Sequence, residues 1–384
     1  MTNPYRSPWM TEELDAFRDQ FRRFLAKELA PHAEKWRQDK IVGRAAWRAL
    51  GDIGALLPSV PEVYGGQGTS FAYDAAVIED LEAVVSELAT GYSVHSTIVA
   101  HYILRYGSEE QKQRWLPKLA SGEWIGAIAM TEPGTGSDLQ AVRTNARHHG
   151  NEYRLNGQKT FITNGQLADL IIVVAKTGPG DGAKGISLVV LETAGAEGFR
   201  RGRNLDKIGL HASDTSELFF DDVAVPTANL LGPDEGNGFY QLMDQLPRER
   251  LALAIGAVAA MERALGLTVD YVKQREAFGH KLIEFQNTGF TLAERKTEAV
   301  IARIFIDWCI SRHIEGELDT VAASMAKWWC SQKQVETIDD CVQLHGGYGY
   351  MREFPIARMF VDARVQKIYG GTNEIMKLLI TRSL

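Results

Sequence analysis

The chain has 384 residues, 45% hydrophobic and 24% charged, with 36 Gly and 12 Pro. That length allows two or three domains, and the composition excludes a disordered, collagenous or low-complexity polymer. Its 42 Lys and Arg against 49 Asp and Glu leave a formal net charge of −7, so no electrostatic footprint for nucleic acid or anionic lipid exists.

From the N-terminus, Glu12, Glu13, Asp15 and Asp19 sit where a secretory or transit peptide avoids acids. No targeting segment is visible, and the expected compartment is cytoplasmic or the matrix form of a processed mitochondrial protein. Leu14, Phe17, Phe21, Phe24, Leu25 and Leu29 follow a helical period, with Thr11 as N-cap and Pro31 as stop. Further helices are predicted at 75–84, 98–106 and 108–119. Near Gly122 the texture changes: Asn156-Gly157 and Asn164-Gly165 signal tight turns, and 170–175, 186–191 and 216–225 read as strands. After Gly236 helical periodicity returns, and Leu251 to Met261, too short for the roughly 20 residues of a membrane span, reads as a buried helix. The predicted fold is mainly α with a central β domain: an N-terminal helical domain over 1–122, a middle β-barrel-like domain over 123–234 and a C-terminal helical bundle over 235–384. Cys309, Cys330 and Cys341 form no CxxC pair and read as reduced thiols, with no metal site expected.

Gly180 to Gly185 matches GxGxxG, but a strand-like run follows it where a dinucleotide site needs a helix, so it reads as a hairpin loop. The segment from Ala129 to Asp138 is more specific. Gly134 and Gly136 let a ligand approach the backbone, and Thr131, Thr135 and Ser137 offer hydroxyls beside free amides. Taken alone it is also an ordinary turn. Phe161-Ile162-Thr163-Asn164-Gly165 adds an aromatic, a hydroxyl and a tight turn, and Phe161 alone would pass for core. Together the two suggest a planar cofactor against a β wall.

Six ordered segments then identify a resemblance to the acyl-CoA dehydrogenase family of flavoenzymes over nearly the whole chain. They are Gly107–Lys112, Thr131–Asp138, Phe161–Gly165, Gln274–Gly279, Gln343–Tyr350 and Ile368–Ile375. The family fold, an N-terminal helical domain, a middle β domain and a C-terminal four-helix bundle, agrees with the layout above. By this resemblance the cofactor is FAD, and Ile128, Met130, Thr131, Gly136, Ser137, Phe161, Ile162 and Thr163 line it. Phe161 covers the isoalloxazine where many members carry Trp. Arg275, Phe278, Gln286 and Gln343, Leu344, His345, Gly346 and Gly347 resemble contacts to a neighbouring subunit's FAD, which implies a homotetramer. Thr372, Asn373 and Glu374 fall near the FAD phosphates. Ser137, Tyr240, Arg250, Gly370 and Gly371 are the substrate contacts it implies, and electron-transferring flavoprotein is the electron acceptor.

The family reaction removes an α-proton from an acyl-CoA thioester while the β-carbon gives hydride to flavin, producing a trans-2-enoyl-CoA. Many members supply the base in a Tyr-Glu-Gly-Thr loop, but this chain reads Tyr369-Gly370-Gly371-Thr372. The long-chain and isovaleryl-type branches carry the base on a bundle helix, in a segment resembling Leu246-Pro247-Arg248-Glu249-Arg250-Leu251. Glu249 is therefore the expected base, with Glu374 as its rival. Pro247 suits the first position of a helix, which would put Glu249 in the first turn. Entry into an apolar helix would raise its pKa, while a helix N-terminus and Arg250 would lower it. Gly370 would leave space beside the α-carbon, suiting longer or branched chains. Two other readings keep the fold: an acyl-CoA oxidase or flavin monooxygenase, and a catalytically silent acyl-CoA-binding protein, against which Glu249 argues.

Overall fold

Thr11 opens the first helix as expected, its hydroxyl accepting the Leu14 amide at 3.1 Å. The structure is a computed structural model and describes residues 5–178 and 182–384. Helix α1 (Glu12–Phe24) passes through a π-helical turn and a 3₁₀ turn containing Pro31 into α2 (Ala33–Asp39). Pro31 thus bends the path without stopping it, because a 3₁₀ turn accepts its fixed φ and missing N–H. Then come α3 (Arg44–Asp52), α4 (Phe71–Val84), α5 (Ala89–Tyr92) and α6 (Ala100–Tyr106), the last two joined by a π-helical stretch over Ser93–Val99. A capping box of Ser108 and Gln111 starts α7 (Glu109–Ala120).

The β domain holds β1 (Gly126–Ala129), β2 (Asn145–His149), β3 (Glu152–Thr163), β4 (Leu170–Lys176), β5 (Ile186–Glu192), β6 (Phe199–Asn204) and β7 (Thr215–Pro226). They form one sheet ordered β1-β4-β2-β3-β7-β6, with β5 also paired to β4. Leu170, Ile172 and Val174 enter the helical core while Ile171, Val173 and Ala175 enter the sheet's own core. Burial on both faces is why β4 and β5 read as unbroken apolar runs. Asn156-Gly157 is not a turn but lies inside β3, where a Cβ on Gly157 would come within 2.7 Å of the Thr144 backbone. The Asn164-Gly165 turn is as expected. Gly180 and Asp181 lie outside the described residues, and Gly182–Gly185 forms a short 3₁₀ turn running into β5.

Helix α8 (Gly238–Gln274) leads the bundle, followed by a two-residue hairpin, β8 (Glu276–Ala277) and β9 (His280–Lys281). Then come α9 (Gln286–Ile314), α10 (Thr320–His345), α11 (Pro355–Ala363) and α12 (Asn373–Thr381). By length and composition α8 is apolar enough to cross a membrane, yet 72% of that stretch is buried inside the protein, where it is the bundle's core helix. The order of helical domain, β domain and helical bundle is the layout that the resemblance implied.

Pro247 sits within α8 rather than at its start, so Glu249 gains nothing from a helix N-terminus. An interior Pro costs about 3 kcal/mol. The side chains buried on either side of it, Leu242 before and Leu251 after, offset that cost.

Candidate active site

A cleft of about 380 Å³ opens where the β domain meets α8 and the α5–α6 helices. Its β wall carries Ile128, Met130, Thr131, Gly136, Ser137, Phe161, Ile162 and Thr163, and its helical wall carries Glu249, Arg250, Gly370 and Gly371. Twelve of the sequence-predicted positions therefore line one space.

The β wall is built to present a flat face. The pairing of β3 with β7 shifts register between Lys159 and Ile162, and Phe161, at φ 59°, is left 67% exposed on the cleft. Bulges re-aim side chains in this way, and an exposed aromatic in left-handed backbone is costly without a function. Beneath it a buried ion pair pins the preceding loop. Lys159 Nζ lies 2.9 Å from both Glu132 Oε1 and the Met130 carbonyl, while Glu132 accepts the Arg143 and Thr144 amides at 2.7 and 2.9 Å. At Gly134 and Gly136 an added Cβ would meet nothing within 4 Å. The space over those backbone atoms is open to a ligand, and a planar cofactor fits this wall.

Glu249 is 5% exposed, and the Tyr102 hydroxyl donates to its Oε1 at 2.8 Å. Burial raises its pKa to about 7, against smaller lowering effects from the Tyr102 hydrogen bond and Arg250. No described residue bonds Oε2, so that atom is free toward the cleft. Arg250 is buried, reaches Ser324 at 3.3 Å and leaves its Nε without a partner. Behind the glycine loop, Lys327 Nζ donates to the Gly371 carbonyl at 2.7 Å and to Asn373 Oδ1 at 3.0 Å, fixing the loop to α10.

Several expected contacts lie elsewhere. Tyr240 does not line the cleft and is 52% exposed, whereas its neighbour Phe239 does line it, since successive residues point about 100° apart around a helix. Thr372 caps α12 by accepting the Ile375 amide, and Asn373 is buried with its carbonyl turned to Lys327 and Ser331. Glu374 is exposed in the first turn of α12 and outside the cleft lining. Its pKa is lowered, by a backbone hydrogen bond first and the Thr372 hydroxyl second, so it lacks the burial that makes a carboxylate a strong base.

Arg275, Gln343, Leu344, His345, Gly346 and Gly347 come together in a separate shallow hollow of about 470 Å³. There Arg275 lies 5.8 Å from the centre of the Tyr348 ring, and His345 turns inward, stacked on Tyr271 and bonded to the Cys341 carbonyl at 2.8 Å. Phe278 projects from the β8–β9 hairpin 93% exposed, and Gln286 begins α9, also exposed. Sequence reasoning missed Tyr102, Leu253 and Lys327. A tyrosine in an apolar helix, a leucine and a bundle lysine carry no pattern that marks them.

The site thus joins an open, glycine-lined β wall to a buried carboxyl whose pKa is raised to about 7. Three family models match: the acyl-CoA dehydrogenase N-terminal domain over residues 11–123, middle domain over 127–223 and C-terminal domain over 236–384. The chain belongs to the acyl-CoA dehydrogenase family. It is 50% identical to the long-chain specific acyl-CoA dehydrogenase of Sus scrofa mitochondria, covering 97% of this chain and 87% of that one. The acyl-CoA dehydrogenase structure from Geobacillus kaustophilus superposes with a TM-score of 0.96 at 50% identity, covering 98% of this chain and 99% of that one. A glutaryl-CoA dehydrogenase from Mycobacterium smegmatis, solved in complex with FADH2, gives a TM-score of 0.91 at 30% identity, covering 98% and 95%.

Proposed function

We propose that the chain dehydrogenates an acyl-CoA thioester between its α- and β-carbons, with Glu249 as the base. The observation that carries this is a buried carboxyl with one oxygen held by Tyr102 and the other free, in the same cleft as Phe161 and Gly370. FAD fits the β wall from Met130 to Thr163 and, when bound there, supplies the acceptor for the β-hydride. The chain's own work is proton transfer and alignment. Glu249 acts in its ionised form, and a pKa near neutrality suits a base that must take and hold a proton. Tyr102 and Arg250 favour the carboxylate, and the Gly370 amide, on the loop fixed by Lys327, stabilises the enolate-like oxygen as an oxyanion hole does.

Anaerobic addition of acyl-CoAs of graded length tests this reading, with flavin bleaching the expected result. Absence of bleaching with every chain length would favour a silent binding protein. Oxygen consumption that keeps pace with turnover would favour an oxidase, whereas one-electron transfer to electron-transferring flavoprotein is the expected route. The reduction rate should rise with pH through about 7, because only ionised Glu249 accepts the proton. Tyr102→Phe removes a hydrogen bond that lowers this pKa, so the acid limb should move up by about one unit. A pH profile left in place would remove Tyr102 from the role.

The second hollow supports a shared cofactor site in a homotetramer, with Arg275 and Gln343–Gly347 serving a neighbour's FAD. Phe290, Ile304 and Trp308 on α9 are 58%, 47% and 49% exposed, an apolar display suited to a subunit interface. Arg275→Ala should lower flavin content on purification while thermal stability of the apoprotein stays unchanged. Full flavin retention would remove Arg275 from the cofactor contacts.

A further inference from the structure

The helical wall of the cleft continues past the base. Glu249, Leu253 and Gly256 are spaced four and three residues apart on α8, share one face and all line the cleft. Opposite Gly256 stand Ile78 and Glu82 of α4, and a Cβ added at Gly256 would lie 3.4 Å from Glu82 Oε1. An acyl chain whose α-carbon meets Glu249 and which runs along α8 therefore arrives at a carboxyl.

That carboxyl has no hydrogen bond or ion pair to any described residue. Arg263 is the nearest cation, but its guanidinium is bonded to the Glu82 backbone carbonyl at 2.9 Å and to the Ser86 hydroxyl. Burial pushes the Glu82 carboxyl up to about 8, with Arg263 opposing and Asp362 and Glu87 adding to the rise. At neutral pH it stands mainly as a neutral acid, one donor and two acceptor oxygens, beside Ile78, Val94 and Leu253, with Thr90 and Tyr369 the polar members of the lining near it. A plain methyl terminus packed there would leave the acid unpaired, a loss a hydroxyl on the ligand would repair.

We propose that Glu82 makes the far end of the cleft a polar subsite, which selects acyl chains bearing a hydroxyl near the tenth carbon over plain hydrocarbon chains. The position follows from α8: seven residues rise about 10.5 Å, or about eight carbon–carbon bonds of an extended chain beyond the α-carbon. Sites built to pair a ligand hydroxyl discriminate strongly against the analogue lacking it, because the site's own polar group is then stranded. The inference rests on the dehydrogenase reading and specifies its substrate class.

The matched pair 10-hydroxydecanoyl-CoA and decanoyl-CoA tests it, compared by kcat/KM for flavin reduction in the intact holoenzyme. The ratio of hydroxylated to plain substrate should fall at least about tenfold in Glu82→Leu. Glu82→Gln, which still donates and accepts, should keep the ratio within a few-fold of the wild type. A ratio unmoved by Glu82→Leu would overturn the proposal, since water or nothing would then be the carboxyl's partner. Hexanoyl-CoA, which ends short of Gly256, separates the two levels of the argument in the wild type. Bleaching by hexanoyl-CoA with an unmoved ratio overturns the polar subsite alone. No bleaching by any of the three overturns the dehydrogenase reading and this inference with it.

Discussion

Glu249→Gln should bind FAD and acyl-CoA normally and lose flavin reduction by at least about 10²–10⁴-fold, the range for a general base. The upper part of that range is expected because the other carboxylates among the described lining residues are poorly placed: Asp138 is exposed on the loop after β1, on the far wall from α8. Ser137, Thr131 and Thr163 are neutral hydroxyls, Arg250 is a cation, and Glu82 stands near Gly256, two turns along α8. The substitution is mild for the fold. Glutamine is the near-isostere of protonated Glu249, and its carbonyl can still accept from Tyr102 at the 2.8 Å position. Rapid anaerobic mixing reads reduction apart from later electron transfer. Retention of near wild-type reduction would overthrow the assignment. Glu374→Gln serves as the contrast: that residue is exposed at the start of α12, and its loss should leave the reduction step largely intact.

What could be read in advance follows from the range of each interaction. The helix–sheet–helix order, the Thr11 cap and the strands β4, β5 and β7 are carried by local patterns, and the structure has them. The twelve cleft positions came from short motifs that a resemblance could place, and the fold brings them to one space. Punctuation residues misled where tertiary packing outweighs propensity. Asn156-Gly157 has the composition of a hairpin, but β3 uses the glycine to pass Thr144. Pro247 looks like a helix start, but the packing of α8 carries the helix through it. The π-helical stretch over Ser93–Val99, which turns Ser93, Val94 and Ile98 into the cleft, has no sequence signature at all. Tyr102 is 147 residues from Glu249, and no periodicity in either helix announces that their side chains meet.

The same limit governs moving the base. From the sequence, Glu249→Gly with Gly370→Glu transfers the carboxylate to the other family position and should restore part of the reduction rate for short chains. The structure adds an obstacle. Gly370 has φ 65°, where a side chain costs about 1–2 kcal/mol. Its Cβ would also lie 2.4 Å from Leu253 Cδ1. The space expected beside the α-carbon is thus already occupied, so Gly370 alone does not widen the site for longer or branched chains. In the double variant Leu253 has to rotate into the cleft it lines, taking room from the acyl chain. Recovery should therefore be small and confined to the shortest substrates. Adding Leu253→Ala clears the collision at the expense of a cavity, and it should raise reduction at least about tenfold over the double variant, since misplacement by about 1 Å costs about 10²-fold. It should also extend the accepted chains toward decanoyl-CoA, because the path along α8 to Gly256 is then open. Reduction rates for butyryl- to decanoyl-CoA in the two variants decide the matter. A triple variant no faster than the double would show that Leu253 yields without cost, leaving the left-handed backbone at Gly370 as the barrier.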